Sequence, residues 1–435
     1  MSSETLDLDT VYSQPPPAFG HGLLEYYILD PEYANLNNGS YGTTPKPVHE
    51  AAKALSDRIE RNPDLWYRLS YQETLKETRV QLGELLGAHA DELVLVTNAT
   101  TGVNIVMRNL HWDKDDQIIS FSTAYAAVAS TINYLADVPP FPKKSYIPLT
   151  FPTTHASITE AFRAHLRSPE IQAGPNNKRV AVIDSLISNP GVLLPWKELV
   201  QICREECVIS VVDAAHSAGQ EVDINLSEAQ PDFWVSNCHK WLSCKRSSAV
   251  LYVPFRNHHL VKTTLPTSNY YKPLAQRSAD DHTAELQTQF EWTGTIDHAA
   301  YLTILDALKF RNWLGGEHKI NEYCHKLAMD GGRLLADKWG TSLMDREGEY
   351  TLAMVNVELP IAGDLKLSRD ASQYIERRLL AEEKAYSAWF YHNGKYWTRC
   401  SAQVFNDISD FERVGEAWLK VSAEVKEKFG EAASA

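Results

Sequence analysis

The sequence predicts an α/β protein: a mostly parallel sheet sandwiched by helices, followed by a smaller α+β region at the C-terminal end. Three observations lead there. Short apolar runs of strand length alternate with helix-period segments from about residue 93 to 253, the pattern of right-handed crossover units. Several of these runs end in polar residues able to do chemistry, and ligands of such sheets sit at the carboxyl ends of the strands. Beyond residue 310 the alternation gives way to long helices, one strand and a hairpin signal.

The elements follow in order. Residues 1–18 carry acids and Pro15-Pro16-Pro17 without an apolar core, and read as a disordered tail rather than a secretory leader. Leu36-Asn37-Asn38-Gly39-Ser40-Tyr41-Gly42 sets two glycines among small polar residues, as in a sharp turn or a backbone that approaches a ligand. Helices are expected over 47–61 and 71–86. A strand at 93–96 runs through Asn98-Ala99-Thr100-Thr101-Gly102 into a helix. Free N–H groups and hydroxyls there suit a phosphate, although threonines are also ordinary helix caps. Strands are expected at 118–121, 145–149, 179–183, 208–212, 233–236 and 249–253, with helices at 124–135, 157–166 and 196–206. Residues 255–290 are irregular. Helices from about 297 and over 320–339 flank Gly315-Gly316. A strand at 350–359, a helix at 371–380, a hairpin about Asn393-Gly394 and a helix at 409–429 complete the chain. This divides it into a tail (1–18), a large domain (19–310) and a small α+β domain (311–435).

Composition removes several classes of function. With 435 residues, 44% apolar residues and eleven tryptophans, the chain is globular. A formal charge of −14 argues against nucleic acid or an anionic membrane bound through a basic face. No apolar run is long enough to span a bilayer. Six scattered cysteines suit reduced thiols and a cytoplasmic address. No G-x-G-x-x-G opens a strand–helix unit, which disfavours a nicotinamide enzyme. Cys238, His239 and Cys244 miss the usual zinc spacings, so no metal is expected.

The informative stretch is Ser236-Asn237-Cys238-His239-Lys240-Trp241, which follows the apolar run ending at Val235. Desolvation at a strand end lowers a lysine's pKa and leaves its amine nucleophilic toward an aldehyde. A lone lysine of this kind is usually just a surface group. Here the run 208–212 also ends in an acid, Asp213, followed by Ala214-Ala215-His216. Pyridoxal phosphate asks for a lysine at its aldehyde and a carboxylate at its ring nitrogen. Lys240 and Asp213 supply that pair. Thr100, Tyr125 and Asn189 also follow expected strands, which places five candidates at one edge of the sheet.

Thr100-Thr101, Asp213-x-x-His216, Asn237-x-His239-Lys240 and Thr293-Gly294-Thr295 together resemble the class-V aminotransferase family, enzymes of fold type I. The resemblance runs over most of the chain from Leu36. Leu36–Ser40 and Ser236–Trp241 look nearest to the branch of fungal ergothioneine C–S lyases (hercynylcysteine sulfoxide lyases), isopenicillin N epimerase-like proteins and alkaloid ring-closing enzymes. It implies that Lys240 holds the cofactor as a Schiff base and shuttles the Cα proton. Asp213 would pair with the ring nitrogen, and His216 would reach the ring hydroxyl. Thr100, Thr101, Asn237 and His239 would serve cofactor binding, with Thr295 joining the phosphate site from a second subunit of a homodimer. Tyr125 would stack on the ring. Asn189 would touch the ring hydroxyl and the substrate carboxylate, Arg399 would clamp that carboxylate, and Asn38 would line the substrate side.

On this resemblance the protein is a pyridoxal-phosphate enzyme that removes the Cα proton of a small amino-acid substrate. C–S lyase-like or aminotransferase-like chemistry of fungal specialised metabolism comes first, with epimerisation or ring closure as the alternative. Cysteine desulfurase is disfavoured, because residues 382–398 hold no nucleophilic cysteine. The lyases' cysteine three residues after the stacking tyrosine is Val128 here, which weakens the lyase reading. Lys245-Arg246-Ser247 replaces the usual Pro-Arg-Gly. A non-catalytic binding protein of the same fold is the rival from another class, and intact Lys240 and Asp213 argue against it.

Overall fold

The computed structural model describes residues 7–171, 174, 177–262, 266–267, 273–276 and 286–430. Its centre is a seven-stranded sheet. The strands are β1 (Leu93–Val96), β2 (Gln117–Phe121), β3 (Lys143–Ile147), β4 (Arg179–Asp184), β5 (Ile209–Asp213), β6 (Phe233–Asn237) and β7 (Ala249–Tyr252). Their order is β1-β7-β6-β5-β4-β2-β3. Only β7 runs antiparallel to its neighbours, so the sheet is mostly parallel, as expected.

Both faces of the sheet are covered, which is why its strands read as unbroken apolar runs. Val94, Val211 and Val235 pack on one side against Val103 and Val106 of the helix Ala99–Asn109. Leu95, Val212 and Trp234 pack on the other, in the core that holds Trp196 and Leu199. The edge strand β3 begins two residues earlier than expected. Lys143 and Lys144 are exposed and conceal it from an apolar-run reading, and edge strands commonly carry lysine.

Downstream, β8 (Met354–Glu358), β9 (Ala388–His392) and β10 (Lys395–Ser401) form an antiparallel sheet in the order β8-β10-β9. The helices Gly316–Trp339 and Ile408–Phe429 cover it, and Leu335, Val355, Val357 and Trp418 share a core there. Leu36 reaches into this region from the other end of the chain: its carbonyl accepts the Ser401 amide at 2.7 Å.

The expectation of a disordered tail over 1–18 needs correction from residue 7 onward; residues 1–6 lie outside the described set. Leu8–Ser13 forms a helix capped by Asp7. Tyr12 meets the Trp313 ring edge-on at 6.0 Å, and the Trp313 indole N–H donates to the Gln14 carbonyl at 2.7 Å. Aromatic burial by so distant a partner is invisible in the local composition. The stretch 255–290 contains a 3-10 turn, Phe255–Leu260, and a helix, Leu286–Glu291; much of what lies between is outside the described residues.

The turn after β6, which carries Lys240, is held from three sides. The left-handed Gly42 (φ +68°) lies against it so closely that a Cβ there would stand 1.7 Å from the His239 carbonyl oxygen. Gly219 (φ +87°) presses from another side, where a Cβ would stand 2.6 Å from the Leu242 nitrogen. The buried Arg311 guanidinium donates to the carbonyls of Trp241 and Gly219, both at 2.8 Å, and pairs with Glu317 at 2.5 and 2.6 Å. Removing one member of a buried ion pair leaves the other uncompensated. Arg311→Leu is therefore expected to cost about 3–5 kcal/mol, read as a lower denaturation midpoint; a loss under ~0.5 kcal/mol would contradict the clamp. Gly42→Ala should lose about 1–3 kcal/mol and shift the lysine turn, read by denaturation and by altered protection of the 239–242 amides in hydrogen exchange.

Candidate active site

The carboxyl ends of β4, β5 and β6 bring together a buried polar cluster. Asp213 ends β5, and Asp184 ends β4 directly in register with it. Burial raises both carboxyls. For Asp213 the Ala215 amide and the Lys240 charge oppose the rise, whereas Asp213 itself pushes Asp184 further up. Two adjacent buried carboxyls do not both ionise cheaply. Asp184 is pushed up the further of the two, since among the described residues only Asp213 has a cation acting on it. Sequence reading ended the strand one residue short of Asp184; the shared strand-end acid was the available signal.

His216 is buried three residues after Asp213. Its Nε2 lies 3.0 Å from Lys240 Nζ, and its Nδ1 accepts the Trp241 indole N–H at 3.2 Å. Burial first and the Lys240 charge second hold its pKa well below the ordinary value. For Lys240, burial and then the Arg399 charge push the pKa down to about 8, with Asp213 opposing. At pH 7 roughly a tenth of such amines are neutral, against roughly one in three thousand for an ordinary lysine.

His239 points the other way. Its Nδ1 donates to the Ser248 carbonyl at 2.9 Å, which leaves Nε2 free for a ligand. Burial lowers its pKa, and a bound anion would oppose that. Asn237 is committed as a brace: its carboxamide oxygen accepts the Ala99 amide at 2.9 Å, tying the Lys240 turn to the first turn of the helix Ala99–Asn109. Asn98 accepts the Thr101 amide at 2.8 Å, and the hydroxyls of Thr97 and Thr101 meet at 3.0 Å. Thr100 is exposed at that helix start, with its hydroxyl unpaired among the described residues. The helix N-terminus and this hydroxyl suit a phosphate.

Arg399, on β10, is 1% exposed and has no carboxylate partner among the described residues. It donates to the Ser188 carbonyl at 2.7 Å, and to Asn37 Oδ1 and Ser40 Oγ at 3.0 Å each. Its Nε has no partner among the described residues, and burial pulls its pKa down to about 10. A buried guanidinium without a counter-ion is a costly arrangement that an incoming carboxylate relieves. Asn38 donates to the Lys240 carbonyl at 3.1 Å, while its buried Oδ1 stays unpaired. A cleft of about 1070 Å³ opens over Asn37, Asn38 and Ser40, walled in part by Tyr33, Tyr41 and Tyr386.

Asp213, His216, His239, Lys240 and Arg399 thus share one electrostatic neighbourhood, and Asn38 touches it. Thr100, Thr101 and Asn237 are joined through the helix start. Tyr125 (50% exposed), Asn189 and Thr295 lie exposed, and none hydrogen-bonds to the cluster among the described residues. Sequence reading missed the Arg399 cradle of Asn37, Ser40 and Ser188, although Asn37 and Ser40 flank the Asn38 it did select. Val128 packs in the apolar core with Val103 and Ile132, so a side chain at this position is directed away from solvent. Five of the six cysteines are buried. The exposed Cys207 precedes β5, at the end of the sheet opposite to Asp213.

These residues fit pyridoxal phosphate: a buried amine of lowered pKa beside a carboxylate, a helix start with a free hydroxyl, and unpaired buried atoms on Asn38 and Arg399. Comparison with known proteins agrees. The Aminotransferase class-V family matches residues 36–364. The L-cysteine desulfhydrase-like protein lolT1 of Epichloe uncinata is 35% identical, over 95% of this chain and 98% of its own. The hercynylcysteine sulfoxide lyase of Schizosaccharomyces pombe is 31% identical, over 90% of this chain and 95% of its own. Among solved structures, C-DES with glycine covalently linked to its pyridoxal-phosphate cofactor superposes with a TM-score of 0.75 at 18% identity, covering 92% of this chain and 98% of that one. The fold is that of fold type I enzymes, and the chain belongs to the class-V aminotransferase family of pyridoxal-phosphate-dependent enzymes.

Proposed function

We propose that this enzyme removes the Cα proton of an S-substituted cysteine-type amino acid and eliminates the sulfur substituent from Cβ. With one water consumed in hydrolysing the released aminoacrylate, the products are a thiol or sulfenate, pyruvate and ammonium. The observation that carries an amino-acid substrate is Arg399, a buried guanidinium whose partners are all neutral. The sulfur-cleaving direction is supported by the relatives, named a desulfhydrase-like protein and a sulfoxide lyase. The 1070 Å³ cleft lined by Asn37 and Ser40, the residues that hold Arg399, leaves room for a substituent far larger than a thiol. The burial of Cys400 and the remote place of Cys207 disfavour a desulfurase, which needs a mobile thiol at the site.

In this reading pyridoxal phosphate supplies the electron sink that makes Cα–H acidic. Lys240 is the residue that would hold its aldehyde and take the Cα proton. Asp213 would keep the ring nitrogen charged, and His216 would present an N–H to the ring hydroxyl. Thr100, Thr101 and His239 would hold the phosphate, and Asn237 would hold the turn that presents Thr100. Tyr125, exposed at a helix start, would cover the ring. Asn189 would approach the substrate carboxylate together with Arg399 and Asn38. Exposed Thr295 fits a contribution to the site of a second subunit in a homodimer. Six unpaired cysteines suit a cytoplasmic address.

Transamination, epimerisation or ring closure is the second reading. It is favoured by Val128, whose apolar setting offers no acid to a departing sulfur. Three measurements decide. Purified protein given pyridoxal phosphate should develop an absorbance band above 400 nm, and borohydride should fix the adduct on the Lys240 peptide, with both lost in Lys240→Ala. S-substituted cysteines labelled at Cα and Cβ should yield pyruvate with loss of the Cα label. Retention of all substrate carbons with solvent exchange at Cα would overturn elimination. Arg399→Leu should raise KM roughly 10- to 100-fold, the worth of a lost charge-assisted hydrogen bond; an unchanged KM would remove Arg399 from the site.

A further inference from the structure

We propose that Trp241 is a positioning residue: it locks His216 in one neutral tautomer, aims Nε2–H at the Lys240 amine, and so raises the share of that amine in its unprotonated form. The proposal rests on Lys240 being the cofactor lysine and adds how the protein prepares it.

The inference is a count of protons. An indole N–H can only donate. The Trp241 N–H points at His216 Nδ1 at 3.2 Å, so that nitrogen must present a lone pair. A neutral imidazole that accepts at Nδ1 carries its proton on Nε2. Nε2 lies 3.0 Å from Lys240 Nζ. Nε2–H is then the donor, and its partner must offer a lone pair, which only –NH2 has. An ammonium would face the N–H with donors alone. An imidazolium at 216 would face the indole N–H in the same unfavourable way. The relay therefore resists a proton at both ends.

The surroundings favour this state. The charged or titratable groups acting on His216 and Lys240 are Asp213 from β5, His239 beside the lysine and Arg399 from β10. Two of the three are basic, and Asp213 is the only acid. The indole is itself fixed: Trp241 is 1% exposed, and a Cβ on Gly39 would stand 3.2 Å from its Cζ2. Arg311 holds the Trp241 carbonyl, and Gln220 donates to the His216 carbonyl at 3.0 Å. Both ends of the Trp241–His216 contact are thus anchored through their backbones. Surface lysines lack such a device, and this lysine gains from it the form that attacks an aldehyde.

The test uses the full-length chain free of cofactor, with no pyridoxal phosphate in either assay. In protein labelled with 15N at histidine, the shifts of His216 should report the Nε2–H tautomer between pH 6 and 8. A proton on Nδ1, or an imidazolium at pH 6, would overturn the proposal with no variant needed. The second readout is the pH profile of Lys240 labelling by formaldehyde and cyanoborohydride, followed on the Lys240 peptide by mass spectrometry. Trp241→Phe keeps the apolar bulk and removes the N–H. His216 is then free to turn its lone pair toward Nζ, which favours the ammonium. The midpoint should rise by about one pH unit, and labelling at pH 7 should slow about tenfold. An unchanged midpoint in a variant with wild-type circular dichroism would overturn the proposal. Failure of the wild type to bind pyridoxal phosphate is a separate result and bears on the proposed function alone.

Discussion

The electrostatics of the site turn on one buried amine, Lys240, whose pKa lies below the ordinary lysine value. Burial alone leaves a lysine neutral but gives it no direction, and a paired carboxylate makes it a cation. Lys240 sits between the two, with its pKa pushed down to about 8. Its closest polar partner is an imidazole nitrogen rather than an acid, and the one acid that acts on it, Asp213, is outweighed by burial and Arg399. Asp213 in turn is raised by burial less than Asp184 beside it, because the Ala215 amide and the Lys240 charge oppose the rise. The titrations of Lys240, His216, Asp213 and Asp184 are thus linked by mutual position at the carboxyl edge of one sheet, with Arg399 acting from β10.

That edge needs a scaffold, and the chain supplies it from distant places. Arg311 lies 70 residues beyond Trp241, and its guanidinium ties the lysine turn to the helix Gly316–Trp339 through Glu317. Gly42 and Gly219 allow backbone to approach where a side chain would collide. Asn237 couples the turn to the helix that offers Thr100. Arg399 comes from the C-terminal sheet and is cradled by Asn37 and Ser40 from the N-terminal segment, so the two ends of the chain meet over the site. A shift in any of these supports reaches the amine through packed backbone.

Much of this was legible in the sequence, for identifiable reasons. Strands covered on both faces are apolar throughout, so β5 and β6 stood out, and Asp213 and Lys240 stood out as the polar groups after them. Arg399 was accessible only through the family resemblance, since a strand-end arginine reads locally as readily as a surface ion pair. What stayed hidden depends on register or long-range contact. Asp184 matters because it is aligned with Asp213, which no local pattern states. The link from Trp241 to His216 shows only in the structure, where the indole N–H meets Nδ1. Asn237 looks like a cofactor ligand from its neighbours, yet its oxygen is spent on Ala99. Val128 stands where the lyases carry a cysteine, and its packing with Val103 and Ile132 shows only in the structure. The helix at Leu8–Ser13 was missed because Trp313, which covers it, is three hundred residues away.

The most direct test of the central claim is a crystal structure of the full-length protein grown with pyridoxal phosphate. The account predicts continuous density from Lys240 Nζ to the cofactor, the ring nitrogen against Asp213, and the phosphate at the start of the helix Ala99–Asn109. A cofactor bound elsewhere, or Lys240 and Asp213 in separate cavities, would contradict it.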